Sequence, residues 1–411
     1  MRTSSEVKSI LLTLLLLAGS LPSGQAQTSA LGERIDRRLE VAQTELVELR
    51  RDIHRHPEVS GQEERTAKLV AERLRGLGLE VRTGIGGHGV VGILRGDEPG
   101  PVVAFRADMD AVYSGAPDPV AFASEAPGVR HICGHDIHTT VGLALAEALT
   151  EVKDELAGTV KFIFQPAEEN IAGAAAMIEE GALEDPAPEA IFAYHSAPLE
   201  VGQIGSVEGL SLPGLDRITL VVRGDGNLEA AALVYARAIR SASTGGEVAP
   251  EDFVVAMIGR PQERPEQGDW VVSGMLRAGS PEARADAKSE IEQAVAAVSE
   301  AGVAYELDYE DLVLPDMVND PELVRSTLEP IRSVVGPEGL IESNTVTPYF
   351  SEDFSRYQQH VPGAMYWLGV SNSELGYVGM PHSPDFVADE EAIFVGARVM
   401  AAIIIDYLER H

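Results

Sequence analysis

Three apolar runs, residues 102–106, 159–165 and 190–194, each stop at side chains able to bind a metal or move a proton. The first leads into Asp108 and Asp110, the second into Pro166-Ala167-Glu168-Glu169, and the third into His195. Stretches of helical periodicity separate them, so strand, helix and strand alternate. That alternation restricts the chain to an α/β architecture: a mixed, mainly parallel sheet with helices on both faces. Ligands of such sheets gather beyond the carboxyl ends of the strands, the edge to which these runs deliver their acids and histidine.

A fourth cluster belongs to the same argument. His131-Ile132-Cys133-Gly134-His135-Asp136-Ile137-His138 holds the chain's single cysteine. One cysteine makes no internal disulfide; it is a free thiol, an intermolecular bond or a metal ligand. Gly134 between Cys133 and His135 adds no side chain and tolerates unusual φ, which lets thiolate and imidazole turn toward one point.

The flanks are read more coarsely. Residues 31–56 carry a helical apolar stripe closed by Pro57, with His54 and His56 as solvated or dipole-pairing residues at its end. Ser60 and Glu63 fit a capping box for a helix running to about residue 74. Residues 198–214 are rich in glycine and proline. Residues 216–311 then read as βαββαβ without a histidine, a small antiparallel α+β insert of ferredoxin-like order. After Pro315 the alternation resumes up to a C-terminal helix from about residue 389. The expected organisation is a catalytic unit over 27–213 and 316–411, interrupted by a lid or association unit over 214–315. At the N-terminus, Arg2 and Lys8, an apolar run at 10–18 and small residues before position 26 predict a signal peptide, residues 1–26, and a secreted or periplasmic protein.

Net charge bounds the partners. With 65 acidic against 32 basic residues the chain carries −33, which repels nucleic acid and anionic membranes.

The candidate site residues are Cys133, His135, Glu168, Glu169, His195 and His382, the last in Met380-Pro381-His382-Ser383-Pro384. A mixed thiolate, imidazole and carboxylate set favours zinc, with manganese, cobalt or nickel as alternatives, over magnesium or calcium. Adjacent Glu168 and Glu169 point in different directions. One carboxylate can therefore bind metal while the other takes a proton from water and returns it to a leaving nitrogen.

Together these motifs resemble the M20 metallopeptidase and amidohydrolase family, in its branch of N-acyl-amino-acid hydrolases acting on hippurate and auxin conjugates. The resemblance runs through Asp52-Ile53-His54-Arg55-His56-Pro57-Glu58, Arg106-Ala107-Asp108-Met109-Asp110, Cys133-Gly134-His135-Asp136, Gln165-Pro166-Ala167-Glu168-Glu169 and Ser351-Glu352-Asp353-Phe354. It implies two divalent ions per subunit, held by Cys133, His135, Glu169, His195 and His382 with Cys133 as the bridge. It also implies Glu168 as general base and Asp108 and Asp110 as supports of the ligands. The expected substrate is an N-acyl amino acid or small peptide. The insert is expected to close over the site and form a homodimer. The chain departs from the family where the insert normally carries Gly-Gly-His-Ala; here it reads Gly224-Asp225-Gly226-Asn227. The alternative reading is a catalytically weakened metal- and ligand-binding protein with an altered lid.

Overall fold

The computed structural model describes residues 23–245, 248–300, 302–344 and 346–411. Eight strands form the large sheet. Across it they run Glu80–Ile85, Gly89–Arg95, Ala157–Gln165, Glu98–Asp108, Ala190–Glu200, Gly363–Ser371, Ile204–Val207 and Leu340–Ser343. The four central strands, Ala157–Gln165 to Gly363–Ser371, are mutually parallel. The sheet is mixed and parallel at its centre, as the alternation predicts.

Burial follows the period of two. Val103 and Phe105 face one apolar layer with Phe192 and Tyr194, while Ala104 faces the other with Ile191 and Ala193. The first layer receives the helices Ser23–Arg55, His135–Glu151, Pro321–Val335 and Glu391–Arg410; the second receives Gly173–Glu179 and Phe354–Gln358. Helix His135–Glu151 is buried from His135 to Leu149, so both of its sides are covered by protein.

A separate antiparallel sheet, ordered Val254–Ile258, Asp269–Ala278, Leu215–Gly224 and Val303–Leu314, packs its own apolar core against helices Leu228–Arg240 and Pro281–Ala297. Asn227 caps the first of these helices by accepting the Ala230 N–H at 3.1 Å.

Four expectations are corrected. The secreted or periplasmic assignment is withdrawn: the N-terminal residues that carried it are not among those described, and nothing in the described residues supports export. The apolar run itself lies outside the described residues, and among those described no helix is long and apolar enough to cross a membrane. The predicted capping box is not formed. Helix Glu64–Gly76 has no cap from Glu63; instead the Glu58 carboxylate accepts the Arg65 and Thr66 N–H groups at 2.9 and 2.8 Å. His54 is neither solvated nor a dipole partner but buried. Its Nδ1 lies 2.7 Å from Asp136 and its Nε2 3.0 Å from Asp118. Finally, His195 does not follow its strand. Strand Ala190–Glu200 continues past it because Gly363–Ser371 pairs alongside as far as Ser371 and Glu200.

Candidate metal centre

The sheet edge collects the candidate residues by three local devices. Strand Glu98–Asp108 last pairs with Ala190–Glu200 at Arg106 and Ala193, so beyond that point a gap opens beside His195. Gly134 adopts φ +90° and turns the chain into helix His135–Glu151, which places His135 and His138 on its first turn. A Cβ on Gly134 would stand 2.8 Å from Ser196 Oγ, so the turn needs glycine for space as well as for φ. Ala167 and His382 also take left-handed φ, at 56° and 62°, and present Glu168–Glu169 and the His382 ring.

Donor atoms converge as a result. Those of Cys133, His135 and His195 lie within 4.8 Å of one another, as do those of Cys133, Glu169 and His382, and of His135, Glu168 and Glu169. Cys133 belongs to the first two groups. Its Sγ is 3.5 Å from His195 Nε2, while His382 Nε2 is 3.3 Å from Glu169 Oε1. All six candidates therefore meet at one place. His382 is the most open of them, with 44 % of its side chain exposed.

Neighbouring groups orient the histidines. His135 Nδ1 faces Asp110 Oδ1 at 3.1 Å, and His195 Nδ1 donates to Ser196 O at 2.8 Å, which leaves both Nε2 atoms turned to the site. His138 differs: Nδ1 lies 2.6 Å from Asp108 and Nε2 accepts the Ser196 N–H at 2.8 Å, so both nitrogens are used in support. Asp110 Oδ2 accepts from Ser60 Oγ at 2.6 Å and from the Glu169 N–H at 3.0 Å.

Behind Glu168 lies a buried charge cluster. Arg106 donates to Gln165, Asp108, Glu352 and Asp353 at 2.5–3.0 Å, and the carboxylates of Glu168, Glu352 and Asp353 lie close together. Burial first, then the charge of Glu352, raises Glu168 well above the usual carboxylate range. Burial likewise lifts Asp353 to about 7 despite Arg106. Burial drives His195 down to about 3. Burial opposes the charged form of His135, yet Asp108 and Asp110 outweigh it and hold that ring at about 10. Burial, followed by Glu169 and Glu168, pushes the Cys133 thiol well up.

This arrangement fits divalent cations. His135 Nε2 and Glu169 Oε1 are buried, 3.8 Å apart, and neither makes a hydrogen bond among the described residues, although His382 Nε2 stands 3.3 Å from Glu169 Oε1. Unpaired polar atoms of that kind are costly unless something binds them. The concentration of acidic side chains adds a second need for positive charge.

Comparison with known proteins is decisive at this point: residues 104–406 match the peptidase family M20/M25/M40. The chain belongs to that family. It is 33% identical over 381 residues to thermostable carboxypeptidase 2 of Saccharolobus solfataricus, covering 88% of this chain and 95% of that protein. It is also 33% identical over 390 residues to an N-acetylcysteine deacetylase of Bacillus subtilis, covering 89% and 97%. A solved M20 structure from Bacillus subtilis, described as a dinuclear metal-binding peptidase, aligns with TM-score 0.74 and 31% identity over 90% of this chain and 99% of that one. Family membership makes the chain a metal-binding hydrolase of the peptidase and amidohydrolase type. Arg106 and Glu352 receive no role from the sequence, which assigns Ser60 and Glu63 to a helix cap and His54 to a helix end; the adjacent acids in Ser351-Glu352-Asp353 are the available signal for the Arg106 cluster.

Proposed function

We propose that this protein hydrolyses the amide bond of an N-acyl amino acid or small peptide with two divalent ions held by Cys133, His135, Glu169, His195 and His382. Cys133 would serve both ions, since its Sγ is common to the Cys133-His135-His195 and Cys133-Glu169-His382 donor groups. That shared donor is the observation carrying the proposal. When bound, the ions supply Lewis-acid polarisation of the carbonyl and a lowered pKa for the attacking water. Glu168 would take the proton from that water and return it to the leaving nitrogen. Asp110 faces His135 Nδ1, so that when an ion displaces the other ring proton the ring would present Nε2 to it.

Two features support a substrate that is part apolar and part anionic. A cavity of about 300 Å³ adjoins His195 and Pro381, with Leu199, Val207, Phe350 and Trp367 in its walls, and takes the apolar acyl or side-chain group. Arg277 is buried, donates to Ser351 Oγ at 3.1 Å and has no carboxylate partner among the described residues, so a substrate carboxylate is its natural counter-ion. The B. subtilis relative named a deacetylase of N-acetylcysteine supports the same class.

The test is Glu168→Gln assayed on N-acyl amino acids and dipeptides after loading with zinc, manganese or cobalt. Turnover should disappear while metal content stays at the wild-type level; a variant that still turns over removes Glu168 from the role of base. A wild-type protein that binds metal yet hydrolyses nothing in the panel would instead favour the weakened binding protein.

A further inference from the structure

We infer that Glu63 is a positioning residue that holds the turn carrying Glu168 and Glu169. The inference rests on the reading of those two residues given above. Glu63 lies on another element, 104 residues from Ala167, and is fully buried. Its Oε1 accepts the Ala167 N–H at 2.8 Å and the Gly61 N–H at 2.8 Å. Ala167 needs that support. It sits at φ 56°, a left-handed conformation that alanine rarely adopts, immediately before the two glutamates. Ser60, three residues before Glu63, grips the other end of the turn, since its hydroxyl donates to the Asp110 oxygen that also accepts the Glu169 N–H. One loop thus fastens both ends of residues 167–169.

A role for Glu63 in the helix it precedes is already taken, because Glu58 accepts the first free N–H groups of Glu64–Gly76. Apart from the Gly61 N–H of its own loop, the Glu63 side chain reaches only Ala167 among the described residues. There it acts through reach and acceptor geometry, so glutamine can replace it and the shorter aspartate cannot.

The experiment compares E63Q and E63D with wild type by amide hydrogen exchange at residues 167–169, by zinc retention, and by kcat and KM on an N-acyl amino acid. E63D should speed exchange at Ala167, retain zinc less well, and lower kcat on the order of 10²-fold with KM little changed. E63Q should restore slow exchange and most of the kcat lost in E63D. A role confined to stability would lower the melting temperature of E63D while exchange at Ala167 and kcat of the folded protein stayed as in wild type. That result, or an E63Q as impaired as E63D, would overturn the assignment. If the wild-type protein hydrolyses nothing, the hydrolase reading fails, while exchange at Ala167 still decides the place of Glu63.

Discussion

His135 and Cys133 both hold protons that a cation bound at the proposed site must displace. His135, at about 10, is charged at neutral pH, and the Cys133 thiol is pushed well up by burial and the neighbouring glutamates. Holding an ion through Nε2 and Sγ requires both to be deprotonated, so zinc uptake should release protons, at least one from each of these two groups, and affinity should rise with pH. Calorimetry in buffers of different ionisation enthalpy measures that number; uptake with no proton release would contradict the ligand pair. His195, driven to about 3, is already neutral and should contribute none. The Asp110 carboxylate makes a second prediction at this scale. Asp110→Asn weakens the hold on His135 Nδ1 and on the Glu169 N–H, and zinc affinity should fall ~10- to 100-fold. Chelator competition reads that change, and an unchanged affinity would leave Asp110 with no part in orienting His135.

The turn before helix His135–Glu151 is where element geometry meets the site. Gly134→Ala would force alanine to φ +90° with its Cβ 2.8 Å from Ser196 Oγ, and Ser196 Oγ itself donates to Cys133 O. A loss of about 1–3 kcal/mol is expected from the backbone alone. Urea titration of the metal-free protein tests it, and a stability equal to wild type would mean that the turn rearranges freely. Strand Ala157–Gln165 offers a pH test. Its buried Lys161 donates to Ala182 O and Glu184 O, and burial lowers it to about 8. The unfolded chain, with lysine near 10.4, holds more protons between those values, so this residue makes stability rise with pH from about 8 to 10.4. In Lys161→Met that rise should be absent from denaturation curves taken across the window; an identical slope would show that Lys161 is not its source. Local pattern made the strands legible: an unbroken apolar run such as 102–105 is a property of neighbours in sequence, and the fold then divides its residues between two layers. Misreadings arose where distant partners decide. Ser60 and Glu63 resemble a cap until Glu58 takes that role and Asp110 and Ala167 claim them. His54 resembles a surface histidine until Asp118 and Asp136 arrive from later in the chain. The six candidate residues were legible as a group because chemistry limits which side chains can bind a cation, whereas the residues that orient them are ordinary ones placed by the fold.

Across the whole molecule, a net charge of −33 sets like charges against one another over the surface. The attractive pairs divide into two kinds. Arg106 with Asp108, Glu352 and Asp353, and Arg50 with Asp136, are buried and feel little of the salt in solution. Surface pairs such as Lys68 with Glu72 or Arg95 with Glu80 are exposed and individually worth roughly 0–1 kcal/mol. Salt weakens those pairs, but it also screens the repulsion among the acidic residues in excess over the 32 basic ones. Acidic side chains outnumber basic ones about two to one, so relief of their mutual repulsion should prevail. Thermal melts in potassium chloride from about 0.01 to 1 M, which shortens the screening length from about 30 to 3 Å, should show a rising melting temperature. Charge-reversing substitutions on the surface, Glu72→Lys for example, should flatten that rise, because they reduce the repulsion that salt relieves. A melting temperature that is flat or falls with salt would mean that the attractive surface pairs, and not the net charge, govern the electrostatics of this fold.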